Sequence, residues 1–179
     1  MSGASDTASG QTKTPGETPG VRLSATYLFY FAALGALLPY WSPYLEELGY
    51  SPERIGILVG LIMAARIVAP PLAGWAADRT GRVAGVVRVT SWVTFLGFAG
   101  VLLRDDFAWL ILVTSVFATS WASTLAPVEA LTLTWLGSRS RRYGLIRLWG
   151  SAGFILAVLA VGMLVEAYGL ATLPVAVLV

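Results

Sequence analysis

Long apolar runs separated by brief charged interruptions organise this chain. The runs cover Leu23 to about Tyr44, Ile55 to Ala77, Val83 to Leu103, Phe107 to Leu136, Tyr143 to Val165, and Leu170 to Val179. Between them lie Glu46 to Arg54, Asp78 to Arg82, Arg104 to Asp106, and Ser138 to Arg142. A helix needs about 20 consecutive apolar residues to cross a bilayer core. The pattern therefore predicts an all-α membrane protein with helices at about 23–44, 55–77, 83–103, 107–136 and 143–165, and an incomplete sixth at 170–179. The fourth run exceeds the spanning length and is expected to tilt, bend at Pro127 or protrude. As a helix the sixth would rise only about 15 Å, half a bilayer core. No polar exit follows it, so the segment reads as truncated and the natural gene is expected to continue.

Composition supports the same class. The chain is 56% hydrophobic and 12% charged, whereas soluble domains carry about 25% charged residues. Its net charge of +2 leaves no polybasic surface for nucleic acid. Cysteine and histidine are both absent, which excludes disulfides, thiolate metal sites and a histidine proton relay within this segment. Neither a Walker loop nor a nucleophile elbow is present. No enzyme chemistry and no cofactor are expected.

Residues 1–20 are rich in Ser, Thr, Gly and Pro and read as a disordered tail. They lack the basic-then-apolar order of a signal peptide. Residues 21–179 read as one transmembrane bundle. Lys13, Arg22, Arg79, Arg82, Arg139, Arg141 and Arg142 fall on one side of the alternating spans, with Arg88 just inside. Arg54 and Arg104 fall on the other, diluted by Glu46, Glu47, Glu53, Asp105 and Asp106. The basic side is expected to be cytoplasmic, which places the N-terminus inside.

Three charges break the apolar rule. Glu129 lies within the fourth run, Arg147 near the start of the fifth, and Arg66 about eleven residues from either end of the second. A charge at bilayer depth costs at least about 2.5 kcal/mol and usually faces a bundle interior or a water-filled path. Glu129 and Arg147 would lie roughly 6 to 10 Å below the same surface, at 1.5 Å per residue. Adjacent antiparallel helices could pair them, either as a structural ion pair or as a ligand-binding one. Arg66 could attract an anionic substrate, neutralise a carboxylate elsewhere, or snorkel. If Glu129 and Arg147 cancel, Arg66 leaves an excess positive charge that suits a carboxylate.

Helix one is rich in aromatic residues: Tyr27, Tyr30, Tyr40, Trp41 and Tyr44. Tyr30 and Trp41 are candidates to line a path, while interfacial or packing roles suit the others. Gly56 and Gly60 open a small-residue face on helix two.

Gly74-Trp75-Ala76-Ala77-Asp78-Arg79-Thr80-Gly81-Arg82 resembles the loop signature of the major facilitator superfamily. Gly74 would permit close helix contact, and Asp78 would cap a helix start or pair with a basic residue. Arg79 and Arg82 would anchor the loop on anionic lipid. Leu38-Pro39-Tyr40-Trp41-Ser42, Ala65-Arg66, and Tyr143-Gly144-Leu145-Ile146-Arg147-Leu148-Trp149-Gly150-Ser151 together resemble the phenylpropionate permease group, related to lactose permease and nucleoside-proton symporters.

The resemblance implies the N-terminal six-helix half of a twelve-helix fold that works by alternating access. It implies a proton-coupled symporter of a small organic solute in the inner membrane, completed by a C-terminal half of the same chain. An aromatic or aliphatic carboxylate such as phenylpropionate is favoured, then a sugar or nucleoside. In lactose permease an acidic residue on helix four and an arginine on helix five bind the sugar. Glu129, within Ala126-Pro127-Val128-Glu129-Ala130, and Arg147 match those positions. Phe154 stands where that permease has a stacking tryptophan, a departure that weakens a galactoside reading. The implied substrate site is Glu129, Arg147, Arg66 and Phe154, with Tyr30 and Trp41. The implied cytoplasmic gate is Gly74, Asp78, Arg79, Gly81 and Arg82. A drug exporter of the same superfamily and a non-transporting membrane module are the alternatives.

Overall fold

A computed structural model describes residues 18–137 and 141–178. In chain order the helices are α1 (Thr18–Glu47), α2 (Pro52–Thr80), α3 (Val83–Ala99), α4 (Phe107–Leu136), α5 (Arg141–Tyr168) and α6 (Leu173–Leu178). Short 3-10 turns at Gly100–Leu102 and Leu170–Thr172 extend α3 and precede α6. No strand occurs among the described residues. Five helices are long and apolar enough to cross a membrane.

Local chemistry sets the helix ends. Pro52 opens α2 after an extended Ser51, where its missing N–H costs nothing. Gly81 closes α2 at φ 61°, and its N–H donates to the Ala77 carbonyl at 3.0 Å. That left-handed cap favours glycine. The Asp106 side chain accepts from the Trp109 N–H at 3.0 Å and so caps α4. Pro39, Pro43, Pro70, Pro71 and Pro127 all lie inside continuous helices, as spanning helices tolerate.

Several expected boundaries move: α1, α2 and α5 each run past their apolar segments at both ends. The tail reading of residues 1–20 fails at its last three, since α1 begins at Thr18; residues 1–17 lie outside the described residues. The sixth segment opens with a 3-10 turn before α6, and Val179 lies outside the described residues.

The main packing seams join α1 to α5 and place α4 against both α2 and α3. Glycines set the first seam. A Cβ added at Gly35 would strike the Phe154 carbonyl oxygen, and one at Gly153 would strike the Leu28 carbonyl oxygen. At Gly150 and Gly162 it would come within 2.7 Å of the Phe31 ring and the Tyr40 hydroxyl. Small residues let the two backbones approach. The face expected on α2 behaves differently: a Cβ at Gly56, Gly60 or Gly74 meets nothing within 4 Å. The tightest packing belongs to the α1–α5 seam, with a second close approach where Gly97 and Gly100 meet Val116 and Val113 of α4.

The larger core cluster gathers Leu37, Trp41 and Leu45 of α1, Leu58 and Ile62 of α2, Phe98 of α3, and Leu110 and Phe117 of α4. A smaller cluster of Tyr27, Val128, Leu136 and Ile146 lies where α1 starts, α4 ends and α5 begins. At the other end, the Tyr50 hydroxyl donates to the Asp105 carbonyl. The Arg54 guanidinium lies 5.0 Å from the Phe107 ring centroid, and the Tyr50 ring packs on the same phenyl. These contacts tie the α1–α2 loop to the α3–α4 loop. Outward faces carry exposed apolar side chains such as Ile67 and Leu72 on α2 and Leu156 and Met163 on α5. Lipid would accept these faces, and water would not.

Candidate functional site

The site starts from the antiparallel placement of α4 and α5. Arg147 Nη1 donates to Glu129 Oε1 at 3.3 Å, closing an ion pair between the two helices. Tyr143, one turn before Arg147 on α5, joins them. Its hydroxyl accepts from Arg147 Nη1 at 3.0 Å and donates to Glu129 Oε1 at 3.2 Å. The Arg147 and Glu129 side chains are 52% and 33% exposed, so their charged ends remain accessible. The Tyr27 ring stands edge-on to Tyr143, with centroids 6.5 Å apart, and is itself 1% exposed.

A cavity of about 360 Å³ opens beside the pair. Arg66 and Pro70 of α2, Tyr30 and Phe31 of α1, Glu129 of α4 and Arg147 of α5 line it. Small-molecule sites typically occupy roughly 300 to 1,000 Å³. Three charges therefore converge on one space from three helices, and their formal sum is one positive charge. Aromatic rings supply the apolar wall. The chemistry suits a small anion with an apolar body: arginine binds a carboxylate through paired N–H donors, and an aromatic face accepts the remainder.

A second cavity of about 270 Å³ lies between α1, α3, α4 and α6. Its serine and threonine hydroxyls are already engaged: Ser91 donates to the Val87 carbonyl, Thr94 to the Thr90 carbonyl, and Thr124 to Thr90 Oγ1. No charged side chain lines it. The charged cavity is the stronger site because it alone of the two offers charged donors for a polar ligand.

Not every candidate joins it. Tyr30 lines both cavities. Trp41 does not: it is 1% exposed, stacked on Tyr44 and packed against Phe98 and Phe117. Phe154 is half-buried, lines neither cavity, and lends its carbonyl to the α1–α5 seam. Tyr143 is not among the candidates that the sequence offers. The available signal is its four-residue spacing from Arg147, which puts both on one helix face.

The α2–α3 turn is built around Gly81. Thr80 Oγ1 donates to the Ala76 carbonyl at 2.8 Å and accepts from the Arg82 N–H at 3.4 Å. The Arg79 guanidinium lies 5.2 Å from the Trp75 ring centroid. Asp78 caps no helix start. The N-cap of α3 is Arg82, without a side-chain bond, and Asp78 pairs with no base among the described residues. It is exposed in the last turn of α2, where the helix dipole disfavours a carboxylate. Gly74 makes no close helix contact.

The MFS_1 like family matches residues 21–179. The chain is 32% identical over 146 residues to a protein of Escherichia coli (strain K12) named "Probable 3-phenylpropionic acid transporter", covering 82% of this chain and 38% of that one. It is 36% identical over 140 residues to "Maltose permease" of Geobacillus stearothermophilus, covering 77% and 35%. It is 32% identical over 142 residues to "Uncharacterized transporter YwbF" of Bacillus subtilis (strain 168), covering 78% and 35%. The chain thus spans little more than a third of the length of these relatives. No solved structure matches it significantly. With its five apolar helices, the chain is a multi-pass membrane protein, belongs to the MFS_1 like family, and carries the N-terminal half of a major facilitator transporter fold.

Proposed function

We propose that the whole protein is a proton-coupled symporter that imports a small organic carboxylate across the inner membrane by alternating access. A C-terminal half of the same chain would complete the path, and the N-terminus would be cytoplasmic. One observation carries the substrate class: Arg66, Glu129 and Arg147 line one aromatic-walled cavity with an excess positive charge. In this reading Arg147 binds the carboxylate. Glu129 holds Arg147 or accepts a hydrogen bond from the substrate. Arg66 draws anions into the cavity, and Tyr30 and Phe31 face the apolar body. The relative named for 3-phenylpropionic acid supports an aromatic acid.

A sugar is the second reading. Glu129 Oε1 is an acceptor that suits hydroxyl donors, and another relative is named a maltose permease.

The test is uptake of labelled 3-phenylpropionate into vesicles bearing the full-length protein, with and without a protonophore, beside Arg147→Ala. Protonophore-sensitive uptake is expected. The variant should lose about tenfold or more in apparent affinity, since a hydrogen bond to a charged group contributes about 1.5–3 kcal/mol. Equal uptake by both proteins would refute the assignment of Arg147. Uptake of maltose but not of the acid would select the second reading.

A further inference from the structure

We infer that Tyr143 is the positioning residue of this site: its hydroxyl holds Arg147 by one nitrogen and limits Glu129 to a single contact on that same nitrogen. The inference rests on the carboxylate reading of the site. Among the described residues Arg147 makes two side-chain hydrogen bonds, both through Nη1. The bond to the phenol, at 3.0 Å, is shorter than the bond to the carboxylate, at 3.3 Å. Charged N–H donors usually sit about 2.7–2.9 Å from a carboxylate. Glu129 is thus held loosely, while the neutral oxygen carries the closer contact.

The order of contacts has a consequence. A guanidinium and a carboxylate left alone tend toward a two-point clamp, which would spend the donors a substrate needs. Tyr143 accepts from the cation and donates to the same carboxylate oxygen that Arg147 touches, so Glu129 Oε1 is shared between them and meets the guanidinium at Nη1 alone. Two nitrogens of Arg147, Nη2 and Nε, keep their donors for an incoming carboxylate. The phenol is itself fixed: the Tyr27 ring stands at 87° to Tyr143, stacked on Phe31 behind it. A phenol without that backing could rotate away and let the clamp form.

The experiment uses the full-length protein as wild type, Tyr143→Phe, Glu129→Gln, and Tyr143→Phe with Glu129→Gln. The first readout is KM against Vmax for 3-phenylpropionate uptake at matched amounts of folded protein. Tyr143→Phe is expected to raise KM about tenfold, with the change in KM and not in Vmax. Adding Glu129→Gln should return KM toward that of Glu129→Gln alone, because the clamp has lost its anion. A merely structural tyrosine would lower Vmax or folded yield and gain nothing from the second substitution. The second readout needs no transport: modification of Arg147 by phenylglyoxal, followed by peptide mass spectrometry. Tyr143→Phe should slow labelling severalfold, and the double variant should restore it. Labelling of Tyr143→Phe at the wild-type rate would overturn the inference, whatever the substrate. If wild type takes up no 3-phenylpropionate but labelling follows the expected order, the positioning role stands and the substrate assignment falls.

Discussion

Tyr27 stands behind the Glu129–Tyr143–Arg147 group with its ring 1% exposed and its hydroxyl unpartnered among the described residues. A buried hydroxyl without a partner costs about 1–3 kcal/mol. Tyr27→Phe keeps the ring that backs Tyr143 and removes the orphan oxygen. Melting in detergent should show stability unchanged or raised by about 1 kcal/mol; a drop of similar size would reveal a partner that the hydroxyl needs. The neighbouring charges were easy to find from sequence, because an ion in an apolar run is costly and rare. Tyr143 was harder, since tyrosine near a helix start also suits the membrane interface. Trp41 and Phe154 illustrate the same ambiguity. Their helices are apolar all round, so residue type leaves open whether a ring faces a cavity or a neighbour.

The helices themselves were legible because their length and their charged interruptions are set by the bilayer. Their facing was not. A helix that is apolar all round has no polar stripe to say which side turns inward, and glycine spacing pointed to α2 while the tight seam formed between α1 and α5. Gly153 and Gly56 make the contrast measurable. Gly153→Ala places a methyl against the Leu28 carbonyl oxygen, an overpacking of the kind that costs about 1–3 kcal/mol. Gly56→Ala enters open space and should be neutral or slightly stabilising, since alanine favours helix by about 1 kcal/mol. Thermal melts of the two variants in the same detergent check the pair. Equal melting temperatures would mean that α1 and α5 approach each other less closely than the glycine contacts require.

At the scale of the molecule, the class was legible from pattern alone, whereas the contact between the α1–α2 and α3–α4 loops was not. The α2–α3 turn leaves Asp78 exposed at a helix C-terminus, where its charge opposes the dipole. A carboxylate kept at such a cost suits a contact made in only one state of a rocking cycle, which is the gate role that the family resemblance implies for this loop and that we propose for Asp78. Asp78→Asn should then slow uptake about tenfold while leaving the melting temperature equal or higher. Normal uptake rates in the variant would remove the gate reading. The opposite end is different in kind. There the Tyr50 hydroxyl bonds to Asp105 across two loops, and burial, with Asp105 and Asp106 nearby, raises its pKa above the usual phenol range against the opposing pull of Arg54. The stabilisation from that shift is complete below the ordinary pKa of tyrosine and fades only as pH climbs through the raised value. With no histidine in the chain, this fastening is deaf to the pH difference between the two sides of a membrane. If a proton gradient drives the whole protein, as proposed, it would leave this stitched end unaltered and would have to be felt deeper in the protein.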